Sequence, residues 1–301
     1  MKSIWLDGKL IPWNEANTHI LNTTLHYGYG AFEGIRCYKC EDGRSAIFRL
    51  EEHIRRMFDS CKILMIEIPF TQEEVCKGVV ETLKDNDLEE CYIRPFVYEG
   101  SGSMGLVAYN PVHVAIAAWP WSSYLADGLS DKGAKVKVSS FSRHHPNVGM
   151  VRGKINGQYV NSTLAKRDAQ KDGFDEAIML DTSGYVSEAT AENIFAVRDG
   201  IIYTPPLSSS ILAGLTRDTV IHVARGLGYE VREESFQRDF MYICDEIFFC
   251  GTAVEIMPVR EIDFRSIGEG KPGPITNAVK EQYFKLIRGS WTEKQEWLTY
   301  L

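Results

Sequence analysis

The sequence lacks long hydrophobic runs. None of its apolar stretches approaches the roughly 18 residues that a membrane-spanning helix needs. The first residues, MKSIWLDGKLIPW, are polar and are interrupted by Gly8 and Pro12, so they lack the apolar core of a secretory signal peptide. We therefore expect neither a membrane partner nor a leader segment.

The chain also lacks a basic segment. Its 301 residues carry 33 Lys and Arg against 41 Asp and Glu, and the formal net charge is −8. Proteins that bind nucleic acid usually present a basic patch or stripe, so no nucleic-acid partner is expected. A hydrophobic content of 44% with 25% charged residues is typical of a globular protein.

The seven cysteines are scattered and suggest neither disulfides nor a metal site. Their odd number favours reduced thiols and a cytoplasmic location. Cys37 and Cys40 form one CxxC, but a zinc site needs a second pair, so we interpret them as cysteines at a strand end rather than as a zinc or redox motif. His144 and His145 precede Pro146 with no carboxylate or cysteine at ligand spacing, and no metal is expected.

Two nucleotide-binding patterns are missing as well. The chain has no GxxxxGK[ST] phosphate loop, and no GxGxxG opens a helix after a strand. Gly28, Gly30 and Gly34 lie in HYGYGAFEG, where the aromatic neighbours suit the wall of a pocket better. An enzyme that uses a nicotinamide cofactor is therefore disfavoured.

Helix and strand patterns are present but do not alternate regularly. Asp7-Gly8 predicts a hairpin turn, and Thr71 with Glu74 predicts a capping box at the start of a helix. CYIRPFVY and VHVAIAAW are rich in β-branched and aromatic residues and predict strands. We expect two α+β domains, with the boundary in the Ser-, Gly- and Asp-rich stretch 120–133.

Three places have residues suited to binding an anion. Arg56 lies on a predicted helix and has a guanidinium that can hold a phosphate with paired hydrogen bonds. Gly214 precedes a helix, so the amides of Leu215 and Thr216 would lie at its N-terminus, where anions are favoured. CGTA, from Cys250, follows a predicted strand and permits a nest of amides. Taken singly, each could equally be an ordinary surface arginine, helix start or turn.

One lysine has unusual neighbours. Lys154 lies in GMVRGKINGQYVNS, with Gly153 before it and Gly157 after it, so a ligand could approach it closely. Further along, Glu188 and Glu192 are spaced four apart and would share a face if this segment were a strand. A phosphate grip, a lysine and a carboxylate together are what pyridoxal 5′-phosphate requires.

Five blocks carry a resemblance to a known family: LHYGYGAFEGIRCY, CYIRPFVY, PNVGMVRGKINGQY, GYVSEATAENIF and CGTAVEIMPVR. In this order they resemble the branched-chain amino acid aminotransferases of class IV, the fold type IV enzymes that depend on pyridoxal phosphate. The resemblance runs nearly end to end. It implies an α+β fold of the D-amino acid aminotransferase type, with a smaller N-terminal α/β domain (1–120), a linker (121–133) and a larger C-terminal cofactor-binding domain (134–301).

The resemblance also assigns roles in holding the cofactor. Lys154 would be the catalytic lysine that binds the cofactor aldehyde, and Glu188 rather than Glu192 would pair with the pyridine nitrogen. Tyr159 would hydrogen-bond the ring hydroxyl. The residues that would hold the phosphate are Arg56, Leu215, Thr216, Gly251 and Thr252.

Substrate-binding roles follow from the same resemblance. Tyr92 and Arg94 would help to bind carboxylates, with Arg94 meeting the side-chain carboxylate of glutamate. The amides of Thr252 and Ala253 would hold the α-carboxylate. The apolar pocket would be lined by Tyr27, Phe32, Trp121 and Tyr124.

The implied reaction is reversible amino transfer from L-leucine, L-isoleucine or L-valine to 2-oxoglutarate, by a ping-pong mechanism. The alternatives on the same fold are a D-amino acid or (R)-amine transaminase and aminodeoxychorismate lyase, since Lys154 and Glu188 do not discriminate among them. A binding protein that retained the fold without the activity is disfavoured, because the set of Lys154, Glu188, Tyr159 and Arg56 is intact. The resemblance further implies a homodimer or a higher homo-oligomer.

Overall fold

The computed structural model describes residues 1–121 and 129–301, and these form two compact units. The first unit comprises Met1–Ser122, Gly153–Gln158 and Leu286–Leu301, and the second comprises Ser123–Arg152 and Tyr159–Lys285. Most of the predicted linker lies outside the described residues. The division into domains 1–120 and 134–301 stays a prediction.

The strands are short in most of the chain and longest at the centre of the first unit. They are β1 (Ser3–Leu6), β2 (Lys9–Pro12), β3 (Gly30–Phe32), β4 (Ile35–Lys39), β5 (Ser45–Phe48), β6 (Cys91–Glu99), β7 (Val112–Trp119), β8 (Ala134–Val138), β9 (Glu176–Leu180), β10 (Val186–Ala189), β11 (Asn193–Arg198), β12 (Ile201–Thr204), β13 (Val231–Glu233), β14 (Glu246–Gly251), β15 (Glu255–Ile262), β16 (Arg265–Ser266) and β17 (Leu298–Tyr300).

The helices vary from one turn to about four turns. They are α1 (Thr23–Tyr27), α2 (Leu50–Ile63), α3 (Gln72–Asp85), α4 (Leu129–Lys132), α5 (Pro146–Gly149), α6 (Tyr159–Lys171), α7 (Leu215–Gly226), α8 (Arg238–Tyr242) and α9 (Pro274–Ile287). No helix in the described ranges combines the length and the apolar character that crossing a membrane requires.

The first unit is built on an antiparallel sheet in the order β17-β5-β4-β6-β7-β1-β2, with β3 also paired to β6. Its core contains fully buried residues from the sheet, such as Ile93 and Ile116, together with Ile54 of α2 and Val79 of α3. The apolar faces of these two helices therefore pack against the sheet.

Local signals explain how two elements of this unit begin. Asp7 and Gly8 both have positive φ, 47° and 87°, as a two-residue hairpin turn between β1 and β2 requires. Thr71 accepts a hydrogen bond from the Glu74 backbone N–H at 3.2 Å, and the Thr71 N–H donates to the Glu74 carboxylate at 2.7 Å. The predicted hairpin and the predicted capping box are both confirmed.

The second unit contains a mixed sheet in the order β10-β9-β8-β15-β14-β11-β12-β13, with β16 paired to β15. β8 runs parallel to both β9 and β15, and β12 runs parallel to β13. Buried side chains along these strands, including Ile178, Ile194 and Phe249, form the core. Because β11 and β14 are antiparallel neighbours, with Asn193 opposite Cys250, the residues that follow β14 lie beside the start of β11.

Candidate active site

Lys154 is held by its backbone in the first unit. Its N–H donates to Ser60 Oγ at 2.9 Å, and its carbonyl accepts the N–H of Phe32 at 3.2 Å. The side chain is half-buried, and its Nζ lies 5.0 Å from the centre of the Phe32 ring. An amine over the face of an aromatic ring is a favourable arrangement, so Phe32 helps to set the direction of the lysine.

The glycines around Lys154 allow two backbone segments to approach closely. The Gly157 N–H donates to the Gly28 carbonyl at 3.0 Å, and a Cβ added at Gly28 would lie 2.6 Å from Gly157 Cα. Gly28 also has a positive φ of 68°. A side chain at Gly28 would therefore push this segment and Lys154 away from the sheet.

Tyr92 and Arg94 lie close together on β6 beside Phe32. Arg94 Nη2 donates to the Tyr92 hydroxyl at 3.1 Å, and its guanidinium lies 4.6 Å from the centre of the Phe32 ring. A Cβ at Gly34 would overlap the Tyr92 hydroxyl, so only glycine permits this arrangement. The centre of the Trp121 ring lies 5.0 Å from that of the Tyr92 ring, with the two planes tilted by 31°.

The first unit thus brings together Lys154 and most of its predicted substrate residues: Tyr92, Arg94, Phe32 and Trp121. The buried Nε of Arg94 has no hydrogen-bond partner among the described residues. Tyr27 ends α1 with a half-exposed side chain, and its backbone carbonyl lies near Gly157. Tyr124 lies outside the described residues.

Arg56, predicted to bind phosphate, projects from α2 into an ion pair with Glu33. Nε donates to Glu33 Oε1 at 2.6 Å, and Nη2 donates to Oε2 at 2.9 Å. His53, one turn earlier on α2, contacts the same carboxylate through Nδ1 at 2.8 Å. The guanidinium therefore presents one edge to Glu33 and the opposite edge away from it.

In the second unit, Glu188 is buried near the end of β10, and its described hydrogen bonds include those from a guanidinium, a side-chain amide and a backbone N–H. Arg143 Nη2 donates to Oε1 at 2.5 Å, and Asn193 Nδ2 donates to Oε2 at 3.0 Å. The backbone N–H of Leu212 also donates to Oε2, at 3.1 Å. Each partner is a donor, so this site is built for an ionised carboxylate.

Asn193 links Glu188 to the start of α7. Its Nδ2 also donates to the Leu212 carbonyl at 3.1 Å, and a Cβ at Gly214 would overlap its Oδ1. Gly214 is the N-cap of α7, and no side chain among the described residues caps this helix. The predicted phosphate-binding residues Leu215 and Thr216 form the first turn of the helix, where backbone N–H groups favour an anion.

The third predicted anion site is a tight hairpin loop beside these groups. Gly251 ends β14 and pairs with Glu255 across the loop that contains Thr252 and Ala253. Cys250, just before the loop, pairs with Asn193 on β11. The second unit therefore gathers Glu188, the first turn of α7 and this loop, while Tyr159 occupies the first position of α6.

The class IV aminotransferase family model matches residues 30–262 of the chain. The chain belongs to this family. The branched-chain-amino-acid aminotransferase of Pseudomonas aeruginosa is 47% identical over 297 residues, which cover 98% of this chain and 96% of the relative. The Escherichia coli enzyme of the same name is 40% identical over 300 residues, with 98% and 96% covered.

Solved structures agree with this assignment. The crystal structure of the Escherichia coli branched-chain amino acid aminotransferase has a TM-score of 0.96 at 39% identity and covers 99% of this chain and 98% of that one. The Thermobaculum terrenum enzyme, solved in its PLP form, has a TM-score of 0.93 at 36% identity and covers 99% of this chain and 98% of that one. The family and the α+β fold class predicted from the sequence are confirmed.

Sequence reasoning on this class IV aminotransferase missed several supporting residues. Glu33, Arg143 and Asn193 hold predicted site residues in place. The partners of Glu33 and Arg143 lie 23 and 45 positions away along the chain, whereas Asn193 lies five positions after Glu188. The one local signal was Glu33 itself, a charged residue in the otherwise apolar GAFEG. Glu192 does not share a strand with Glu188, because β10 ends at Ala189 and the chain bends before β11.

Glu192 is nevertheless buried beside the site. A Cβ at Gly251 would lie 3.7 Å from its Cγ, and the Ala191 N–H donates to its carboxylate at 3.0 Å. Burial, followed by the negative charge of Glu176, raises the pKa of Glu192 from 4.5 to about 8. Lys166, which pairs with Glu176 at 2.5 Å, opposes this shift.

The raised pKa of Glu192 predicts a pH-dependent cost to folding. The folded chain keeps a proton on Glu192 that the unfolded chain releases near pH 4.5. The contribution of Glu192 to the free energy of unfolding therefore falls progressively as the pH rises from about 4.5 to about 8. Glu192→Gln is expected to raise the Tm relative to the parent by an amount that grows between pH 5 and pH 8. Thermal unfolding of both proteins checks this, with the exposed Glu234→Gln as control. An unchanged Tm difference across that range would contradict it.

Proposed function

We propose that the chain is a pyridoxal-phosphate-dependent branched-chain-amino-acid transaminase. It moves the amino group of L-leucine, L-isoleucine or L-valine to 2-oxoglutarate and yields the branched-chain 2-oxo acid and L-glutamate, in two alternating half-reactions. The observation that carries this proposal is the cluster of an amine, apolar rings and a guanidinium in Lys154, Phe32, Trp121 and Arg94. Relatives that are 40–47% identical over nearly the whole chain have this activity in their names.

The residues present fit the cofactor. Glu188 is a buried carboxylate surrounded by donors, which suits a partner for a positively charged ring nitrogen. The first turn of α7, where Asn193 leaves no space for a side chain at Gly214, suits a phosphate. Arg56 supplies a positive charge and Lys154 a primary amine. Another branched-chain amino acid aminotransferase, 44% identical to this chain, was solved both with pyridoxamine 5′-phosphate and with N-(5′-phosphopyridoxyl)-L-glutamate.

Each of these groups then has a defined task. Lys154 would hold the cofactor aldehyde, Glu188 the ring nitrogen and Tyr159 the ring hydroxyl. The residues that would hold the phosphate are Arg56, Thr252 and the backbone amides of Leu215 and Thr216, in the neighbourhood of Gly251. When bound, pyridoxal phosphate supplies an aldehyde for the amino group and a protonated ring nitrogen that takes up negative charge from Cα.

Lys154 performs the proton transfer in both half-reactions. Its amine would act as the general base at the substrate Cα, where it would take the proton and pass it on, and the cofactor, when bound, would supply the carbon that receives that proton. Phe32, beneath Nζ, limits where the amine can swing. Glu188 favours the same step from a distance, because its negative charge keeps the ring nitrogen protonated.

The substrate pocket must accept both an apolar and an acidic side chain. Phe32, Trp121 and Tyr92 offer ring faces, and burying a branched side chain against them stabilises binding by ~1.5–3 kcal/mol. The glutamate side-chain carboxylate would pair with Arg94, whose buried Nε lacks a partner among the described residues. The α-carboxylate would accept hydrogen bonds from the backbone N–H groups of Thr252 and Ala253. Tyr27 and Tyr124 would complete the walls.

The proposal is tested by following the nitrogen atom. The purified chain is incubated with pyridoxal phosphate, 2-oxoglutarate and L-leucine labelled with heavy nitrogen, and glutamate is analysed by mass spectrometry. Labelled L-glutamate is expected from L-leucine and none from labelled D-leucine. Label transfer from D-leucine alone would instead assign a D-amino acid transaminase, and the absence of transfer from either would contradict the proposal.

The oligomeric state and the location are proposed from separate observations. Leu106, Val107 and Tyr109 form an exposed apolar loop, at 88%, 86% and 94% exposure, which supports a homodimer or higher homo-oligomer. All seven cysteines lie in the described residues and none is in a disulfide, which supports a cytoplasmic location. Light scattering of the purified chain would report its mass in solution.

A further inference from the structure

Glu33 is a fully buried carboxylate that pairs with a predicted phosphate ligand, Arg56. It lies between β3 and β4 with 0% of its surface exposed. Its oxygens accept both hydrogen bonds from Arg56 and one from His53, and the Gly34 N–H reaches Oε2 at 3.2 Å. Burying a carboxylate is unfavourable unless it is paired and hydrogen-bonded, and here every contact is with a donor.

The charges in this network balance within a small volume. Burial alone would raise the pKa of Glu33, but the charges of Arg56 and His53 outweigh burial and hold it well below the usual range. Burial lowers the pKa of His53, although the neighbouring carboxylate of Glu33 opposes that shift, and Nδ1 of His53 faces Oε2 of Glu33. Among the described residues, the permanently charged partner of this carboxylate is the guanidinium of Arg56.

The same network borders the backbone of Lys154 on two sides. Ser60 Oγ donates to the Arg56 carbonyl at 2.8 Å and accepts the Lys154 N–H at 2.9 Å. On the other side, the N–H of Phe32, next to Glu33, donates to the Lys154 carbonyl. The ion pair thus joins the strand segment and the helix turn that flank the lysine.

We propose that Glu33 is a positioning residue for phosphate binding: by pairing with Nε and Nη2 of Arg56, it directs the opposite edge of the guanidinium to the cofactor phosphate. This inference rests on the proposed function, since it takes Arg56 as a phosphate ligand. A planar guanidinium held along one edge cannot rotate, so its remaining donors are pre-organised for an anion. Without Glu33 the long side chain would have to be ordered at the moment of binding.

The test compares a ligand that has the phosphate with one that lacks it. Dissociation constants for pyridoxal phosphate and for pyridoxal are measured by spectroscopic titration of the full chain after removal of bound cofactor. Glu33→Gln keeps the shape and removes the charge. This variant is expected to raise the dissociation constant of pyridoxal phosphate about 10-fold, the scale for loss of a supporting partner. The dissociation constant of pyridoxal is expected to stay within about twofold of the parent value. Arg56→Ala should also weaken the binding of pyridoxal phosphate but not that of pyridoxal. In the double variant, Glu33→Gln should weaken the binding of pyridoxal phosphate no further than Arg56→Ala alone.

Two further variants control for folding. Glu33→Asp retains the buried charge, but its shorter side chain moves the carboxylate away from Arg56. If Glu33→Gln does not fold, Glu33→Asp should show the same selective loss of affinity for pyridoxal phosphate. Glu52→Gln removes a carboxylate from another ion pair on α2, that with Arg49, and should change neither constant.

The outcomes separate this inference from the proposed function. Equal weakening of both ligands by the Glu33 variants would show a purely structural role and overturn the inference. If Arg56→Ala weakens the binding of pyridoxal phosphate selectively and the Glu33 variants do not weaken it, the inference is also overturned, while the proposed function stands. Failure of the unmodified chain to bind pyridoxal phosphate would contradict the proposed function itself.

Discussion

Replacing Lys154 by alanine is expected to reduce amino transfer by at least about 10³-fold, because one change removes both the amine that binds the aldehyde and the general base at Cα. The fold should persist. The hydrogen bonds that hold this residue, from its N–H to Ser60 and from Phe32 to its carbonyl, are made by the backbone and survive the substitution. Steady-state rates with L-leucine and 2-oxoglutarate, together with thermal unfolding, measure the two effects.

The matched control for this variant is Lys171→Ala. Lys171 is an exposed lysine at the end of α6, so its removal tests the loss of a lysine without touching the site. Its rate should equal that of the parent. A Lys154→Ala protein that folds and keeps more than a tenth of the parent rate would show that another group performs the proton transfer.

Replacing Glu188 by glutamine is expected to slow the half-reaction with L-leucine roughly 10²-fold, the scale for removal of one preorganised electrostatic contact. The neutral amide no longer favours a protonated ring nitrogen, so less negative charge can leave Cα. It also leaves Arg143, which donates to Oε1 at 2.5 Å, without its charged partner in a buried place. A lower Tm is therefore expected beside the slower rate. Single-turnover absorbance measurements give the rate directly.

Glu192→Gln is the comparison that isolates the position of the charge. It removes a buried carboxylate four residues along the same segment, but it touches neither Arg143 nor Asn193 in any contact described above. Its half-reaction should be slowed much less than that of Glu188→Gln. Equal slowing by both variants, or a near-normal rate in Glu188→Gln, would remove the basis for assigning the ring nitrogen to Glu188.

The predictable features of this chain are those with local signals. The Asp7-Gly8 turn and the Thr71–Glu74 capping box depend on neighbouring residues only, and both predictions are confirmed. The pairing of β17 with β5 joins residues near 300 to residues near 47, and no local pattern encodes it. The same reason explains Arg143 and Glu188, whose ion pair spans 45 positions of the chain.

The glycines near Lys154 illustrate a signal that the sequence shows but explains incompletely. From the sequence, we expect them to make room for a ligand. In the structure, the demand for space comes from the protein itself, since a Cβ at Gly28 would lie 2.6 Å from Gly157 Cα. That contact joins two segments that are remote in sequence, so the sequence draws attention to the lysine but cannot show that its segment requires a glycine at position 28.

The central claim is that Lys154 binds pyridoxal phosphate and that the site processes branched-chain L-amino acids. The most direct test is the visible absorption spectrum of the purified chain with pyridoxal phosphate, before and after addition of L-isoleucine and, separately, of D-alanine. The account predicts a visible band from the bound cofactor that disappears with L-isoleucine and persists with D-alanine. A band that disappears only with D-alanine would contradict the assignment of branched-chain L-amino acids as substrates. The absence of any band would contradict the role of Lys154.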